Sequence, residues 1–288
     1  MPLMQKFFAL TRTGRVLDRY YRHDVARESA ALTYYLFFAL FPLLVFVSTL
    51  LGLLNLDVAG ITGSLSAVLP RSFVELTETY LTYVTENQNG TLMWFSLFFS
   101  VYFPYRAANL LMRSVRRAYH VKRPKNLLRY TGKVLIFTVL LLATIFVGFA
   151  VAVLGRNLMT FLNRYVTIDP ASMELWLNLR FLLLTAIVWA MVTISYGLSL
   201  DERVPLRELA PGTVLAVLCW LLTTFGFSYY VEHFSNYSII YGSIGAIVAV
   251  LIWLNLSSML MIMGAEVNVL LTERRERKQR KEEEDERI

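Results

Sequence analysis

One cysteine and three histidines in 288 residues leave this chain without the means for several kinds of chemistry. Cys219 has no second cysteine to bond with and no neighbours for a thiolate metal site. His23, His120 and His233 fall on separate connections, and Asp24, Glu28, Asp201 and Glu202 show no metal-ligand spacing. Phosphodiester cleavage by metal ions needs clustered carboxylates or histidines holding ions about 3.5–4 Å apart, so nuclease chemistry is not expected. The sequence also lacks a phosphate-binding glycine loop, a nucleophile elbow and a metalloprotease helix. No Ser–His or paired-Asp arrangement lies inside an apolar run, which removes intramembrane proteolysis. No catalytic residue, metal or cofactor is predicted, and an enzyme is not the expected class.

Charge is scarce too, at 17% of residues against 56% hydrophobic and 14% aromatic, with a mean hydropathy of +0.51. A soluble domain of that composition would expose very large apolar patches. The apolar residues lie in six runs, drawn around Ala30–Leu54, Leu92–Leu111, Val134–Leu154, Leu177–Leu198, Thr213–Tyr230 and Tyr241–Val269. Each is near the roughly 20 residues that cross a hydrocarbon core of about 30 Å. Backbone groups in lipid must be satisfied internally, and continuous runs exclude the alternation of a barrel. The expected fold is therefore an all-α, polytopic membrane protein of six transmembrane helices.

Its cations set the orientation. Lys6, Arg12, Arg15, Arg19, Arg22 and Arg27 precede the first run; eight more lie from Arg113 to Lys133, and seven from Arg274 to Arg287. The alternate connections hold only Arg71, then Arg156 and Arg164. By the positive-inside rule both termini are cytoplasmic. This topology accounts for the net charge of +7 and pI near 9.5 without a nucleic-acid partner; anionic lipid headgroups at the cytoplasmic face are the expected contacts.

Residues 1–272 are expected to form one six-helix domain, entered by an amphipathic interfacial helix over Gln5–Arg22, with a charged cytoplasmic tail over 273–288. In the first outward loop Phe73, Leu76, Tyr80, Leu81 and Val84 have the spacing of a second surface helix. Pro42 and Pro104 interrupt the first two spans, and Gly242, Gly245 and Ala246 open the sixth with small residues that permit close approach, a homo-oligomer included.

Chemistry in such a chain belongs to the polar residues that lipid would otherwise exclude, since a central charge costs at least about 2.5–3.5 kcal/mol. Tyr102, Tyr105, Arg106, Asn109 and Arg113 share one face of the second span, Asn255 and Glu266 one face of the sixth, and Glu28, Thr33, Tyr34 and Tyr35 start the first. They predict a polar cavity lined by Tyr34, Tyr102, Arg106, Asn109, Asn255 and Glu266. In it Arg106 receives an anionic group and Glu266 or Glu28 orients the guanidinium. The competing reading has Arg106 snorkelling to the headgroups and Glu266 capping a helix end.

The run Ala30-Ala31-Leu32-Thr33-Tyr34-Tyr35 leading into Leu40-Phe41-Pro42-Leu43-Leu44 resembles the first-span signature of the YihY/BrkB family. Tyr237, Ile240-Tyr241-Gly242, Trp253 and Gly264-Ala265-Glu266 resemble its C-terminal signature, and Asn109, Tyr119, Pro205 and Pro211-Gly212 fall at further matching positions. The resemblance implies a six-helix bacterial inner-membrane protein, historically labelled ribonuclease BN, with links to export of envelope lipid or lipopolysaccharide. It singles out Pro42, Asn109, Tyr241, Gly242, Gly264 and Glu266 as motif positions. Two functions follow as expectations: a transporter or exporter of an amphipathic or anionic substrate, envelope lipid among the candidates, or a noncatalytic scaffold recruiting partners through its basic loop and tail.

Overall fold

The computed structural model describes residues 12–53, 90–121, 126–162, 170–202, 204–233 and 243–285, all of whose regular structure is helical. The elements are α1 (Arg12–Arg22), α2 (Val25–Leu53), α3 (Gly90–Ala118), α4 (Leu127–Leu162), α5 (Pro170–Ser199), α6 (Leu206–His233) and α7 (Ser243–Asp285). Over the described residues, each of the six apolar runs lies in a long helix. Five of these, α2, α4, α5, α6 and α7, are long and apolar enough to cross a membrane. Among the described residues α3 is outside that group, which reduces the expected six spans to five by this measure. Tyr102, Tyr105, Arg106, Asn109 and Arg113, the residues that gave α3 its polar face, also lower its hydropathy.

Consecutive long helices pack side by side from α2 to α7, α7 returns against α2, and α3 reaches inward to α5 and α7. The short α1 lies across α2 and α7. The buried core is densest where α2, α4 and α6 begin and α3 and α5 finish, hereafter the charged end. There Val25, Met112, Val115, Val134, Phe137, Val192, Tyr196, Ile262 and Ala265 are almost fully buried. Large apolar residues such as Trp94, Phe98, Val139, Leu182, Leu222 and Phe225 are exposed around the outside, as lipid surroundings would favour.

Helices α2 and α3 continue through Pro42 and Pro104. Helix α6 begins at Leu206, earlier than the expected Thr213, and runs through Pro211. Asn268 of α7 braces the backbone at this point. Its Oδ1 accepts the Gly212 N–H at 2.6 Å and its Nδ2 donates to the Leu209 carbonyl at 2.8 Å, so one side-chain amide satisfies backbone groups on both sides of the proline. Helix α7 continues past residue 272 to Asp285 with its last turns exposed. The helix expected over residues 73–84, and residues 1–11, lie outside the described residues.

Candidate functional site

Three buried or half-buried ion-pair groups occupy the charged end. The first centres on Glu266, 1% exposed inside α7. Arg19 of α1 donates from Nη1 to Glu266 Oε2 at 3.1 Å and from Nη2 to Glu273 Oε1 at 2.5 Å. His23 donates from Nδ1 to Glu266 Oε1. The chain delivers both residues through a tight turn in which Asp24 adopts φ 51° and its carbonyl accepts the first N–H groups of α2. The His120 ring stands edge-on to His23, with centroids 5.8 Å apart. His120 itself has φ 52° and closes α3: its N–H bonds the Arg117 carbonyl and the Val121 N–H bonds that of Arg116. This is the left-handed cap that glycine usually provides.

The second group joins α2 to α3. Glu28, 8% exposed, accepts from Arg117 Nη1 at 2.7 Å and Ser114 Oγ at 3.2 Å. The third joins α3 to the link after α5. Arg116 forks onto both carboxylate oxygens of Asp201 at 3.0 Å, donates to the Ser199 carbonyl at 2.9 Å and lies over the Tyr130 ring. A buried carboxylate stripped of its cation is worth about 3–5 kcal/mol of instability, so these pairs fix how the helix ends sit together.

The residues expected to line one cavity take separate partners. Arg106 is exposed, donates to the Tyr35 hydroxyl at 2.7 Å and lies over that ring. Asn109 Oδ1 accepts from the Tyr130 hydroxyl at 3.0 Å, and Asn255 Nδ2 donates to Thr33 Oγ1 at 3.4 Å. Tyr34 faces outward, and Tyr102 lines an open groove of about 470 Å³ between α3 and α4. Glu266 and Glu28, expected to orient Arg106, are held by Arg19, His23 and Arg117 instead. Pro42 is half-buried within α2. Gly264 is buried against α6, where a Cβ would stand 2.6 Å from both the Ala216 Cβ and the Tyr196 hydroxyl. Tyr241 and Gly242 lie outside the described residues.

Sequence reasoning missed Arg19, His23 and Asn268 as partners. Arg19 was legible only as one more topogenic cation, and nothing local tells a counter-ion from its neighbours. Asn268 had a signal: an amide one turn from Gly264, in a chain where Pro211-Gly212 must expose backbone groups.

The family model of the virulence factor BrkB matches residues 16–288. Among similar proteins, the ribonuclease-like protein YfkH of Bacillus subtilis is 29% identical over 260 residues, covering 90% of this chain and 94% of its own. A UPF0761 membrane protein of Chromohalobacter salexigens is 29% identical over 270 residues, covering 90% of this chain, which spans 63% of that protein. A UPF0761 membrane protein of Coxiella burnetii is 26% identical over 258 residues, covering 88% of this chain and 90% of that protein. No solved structure matches the chain.

Proposed function

We propose, from the premise that the chain belongs to the virulence factor BrkB family, a membrane transporter of an amphipathic or anionic substrate whose charged end is closed by the ion-pair layer. The observation that carries this reading is Glu266: a carboxylate 1% exposed inside α7, held by Arg19 of the separate helix α1 and by His23 in the turn that follows it. Buried ion pairs add little net stability over apolar packing of the same volume, while ionisable groups within membrane helices most often serve transport or switching. Opening the layer requires α1 to release α7, which gives the bundle a defined element to move. Arg106, exposed and without a carboxylate partner among the described residues, supplies an anion contact. In this reading six helices span the bacterial inner membrane, α3 included, with both termini and the charged end cytoplasmic. The ribonuclease-like name belongs to a relative at 29% identity; among the described residues no group of three or more His, Cys, Asp or Glu side chains is placed to hold a metal.

The scaffold reading is favoured by one feature, the exposed final turns of α7 from Arg275 to Asp285, which offer a mixed-charge surface to a partner. Reconstitution separates the two. Purified protein in liposomes carrying fluorescent anionic or zwitterionic phospholipid is expected to speed lipid exposure to an external quencher, with Arg106→Ala slowing it and Arg129→Ala leaving it intact. Rates equal to protein-free liposomes for both lipids would count against transport.

A further inference from the structure

The outward face of α3 holds a feature that the ion-pair layer does not use. Leu97, Phe98, Val101, Tyr102 and Tyr105 form one stripe of α3, and with Thr131 and Leu135 of α4 they line the open groove of about 470 Å³. Its lining is apolar except for the two phenols and Thr131, and it is open along the outer surface of α3 and α4. At the charged end of the groove the character changes. Tyr130, adjacent to Thr131, donates to Asn109, and both Arg113 and Tyr105 lie near enough to its hydroxyl to act on it. Arg113 is exposed, and among the described residues no carboxylate comes within ion-pair reach of it.

Dimensions select the occupant. Along a helix rising 1.5 Å per residue, the apolar stripe from Leu97 to Tyr105 spans about 12 Å, and Arg113 stands about 24 Å from Leu97. One leaflet of a bilayer is about 15 Å of hydrocarbon and about 20–22 Å with its headgroups. A phosphate at Arg113 would thus leave its acyl chain in the apolar part, with the Tyr105 and Asn109 level matching the glycerol region. We infer that the groove between α3 and α4 binds one anionic phospholipid, its acyl chain along Leu97, Val101 and Leu135 and its phosphate at Arg113. Charge complementarity favours an anionic over a zwitterionic headgroup, because no carboxylate among the described residues neutralises the cation. The inference rests on the reading of α3 as a membrane span with its charged end at the headgroups, but not on transport: a bound lipid need not move across the membrane.

Photo-crosslinking reads occupancy directly. The protein is placed in phosphatidylcholine nanodiscs containing phosphatidylglycerol with a diazirine on its acyl chain, illuminated, and mapped by peptide mass spectrometry. Adducts are expected to concentrate on Leu97–Tyr105 and Thr131–Leu135 and to be competed by unlabelled phosphatidylglycerol, not by added phosphatidylcholine. Arg113→Gln is expected to lower groove labelling about five-fold, the loss of one cation at an anionic headgroup. Leu135→Trp, at a half-exposed position, fills the groove and should lower labelling with the cation still present; it decides the matter if Arg113→Gln fails to fold. Labelling spread evenly over the outer faces of all helices, equal competition by both lipids, displacement by inorganic phosphate alone, or unchanged labelling in the folded variants would overturn the proposal. Labelling concerns binding alone, so a failed transport assay leaves it standing, and uniform labelling leaves the transport reading standing.

Discussion

Replacing Gly212 by alanine should be among the most damaging single-methyl changes available in this protein. A Cβ at Gly212 would stand 2.2 Å from the Gly264 carbonyl oxygen and 2.5 Å from Asn268 Cγ and Oδ1. The first obstacle is backbone and cannot rotate away; the second is the amide that satisfies the backbone around Pro211. Overpacking of this kind costs about 1–3 kcal/mol, and a buried N–H left without its acceptor about 1–3 kcal/mol more. Against this, alanine is better than glycine in a helix by about 0.5–1 kcal/mol. The net expectation is a loss of about 1–5 kcal/mol. Gly226, further along the same α6, has nothing within 4 Å of its added Cβ, so Gly226→Ala should gain about 0.5–1 kcal/mol. Unfolding by dodecyl sulfate titrated into mild detergent micelles, followed by circular dichroism, reads both variants on one scale. Equal midpoints for Gly212→Ala and the parent chain, or a loss in Gly226→Ala as large as in Gly212→Ala, would refute the close crossing of α6 and α7.

The ion-pair layer predicts that Arg19→Ala and Glu266→Gln each lower stability by about 3–5 kcal/mol, while the double variant loses clearly less than the sum, as a double-mutant cycle in the same micelles would measure. Arg116→Ala should cost more than Arg117→Ala, because the Arg116 side chain is 6% exposed and that of Arg117 43%; thermal unfolding of the two purified variants ranks them. His120→Gly should raise the midpoint by about 1 kcal/mol, since glycine adopts φ near 52° without the crowding a side chain meets there; a loss would mean that the contact with His23 outweighs the cap. Burial pushes the Tyr119 phenol from the ordinary 10 up to about 12. The folded state thus holds this proton more tightly than the unfolded one, so its contribution is present below pH 10 and lost as the pH rises through about 12. Tyr119→Phe should flatten that alkaline decline, which unfolding at a series of pH values tests.

Helix placement was legible because spans in lipid carry their signal locally: length and hydropathy alone locate α2, α4, α5 and α7. Helix α6 shows the limit. Pro211-Gly212 reads as a break, yet the helix runs on, and a side chain from Asn268, 56 positions away from Gly212, bonds the backbone there. The polar set was legible as residue types, since Arg106, Asn109, Asn255 and Glu266 stand out against apolar neighbours. Their pairing was not. Helical spacing says which residues share a face, but not which face of another helix meets it, so Arg106 and Glu266 at similar depth suggested a pair. The partners of Glu266 come instead from α1 and the turn after it, a segment that composition marks only as basic and amphipathic.

That same segment explains why a carboxylate can be buried in α7 at all. A buried carboxylate without a partner is costly, and two cations of the long helices are paired elsewhere, Arg116 with Asp201 and Arg117 with Glu28. The partners of Glu266 come from outside the ring of long helices. Because α1 turns at Asp24 and folds back across α2 and α7, Arg19 and His23 reach Glu266 together, and Arg19 reaches Glu273 one turn beyond the Gly264–Val269 core. Detaching α1 would therefore do more than free a surface helix. It would leave a buried carboxylate without either of its partners, so the seat of α1 and the packing of α7 around Glu266 hold together.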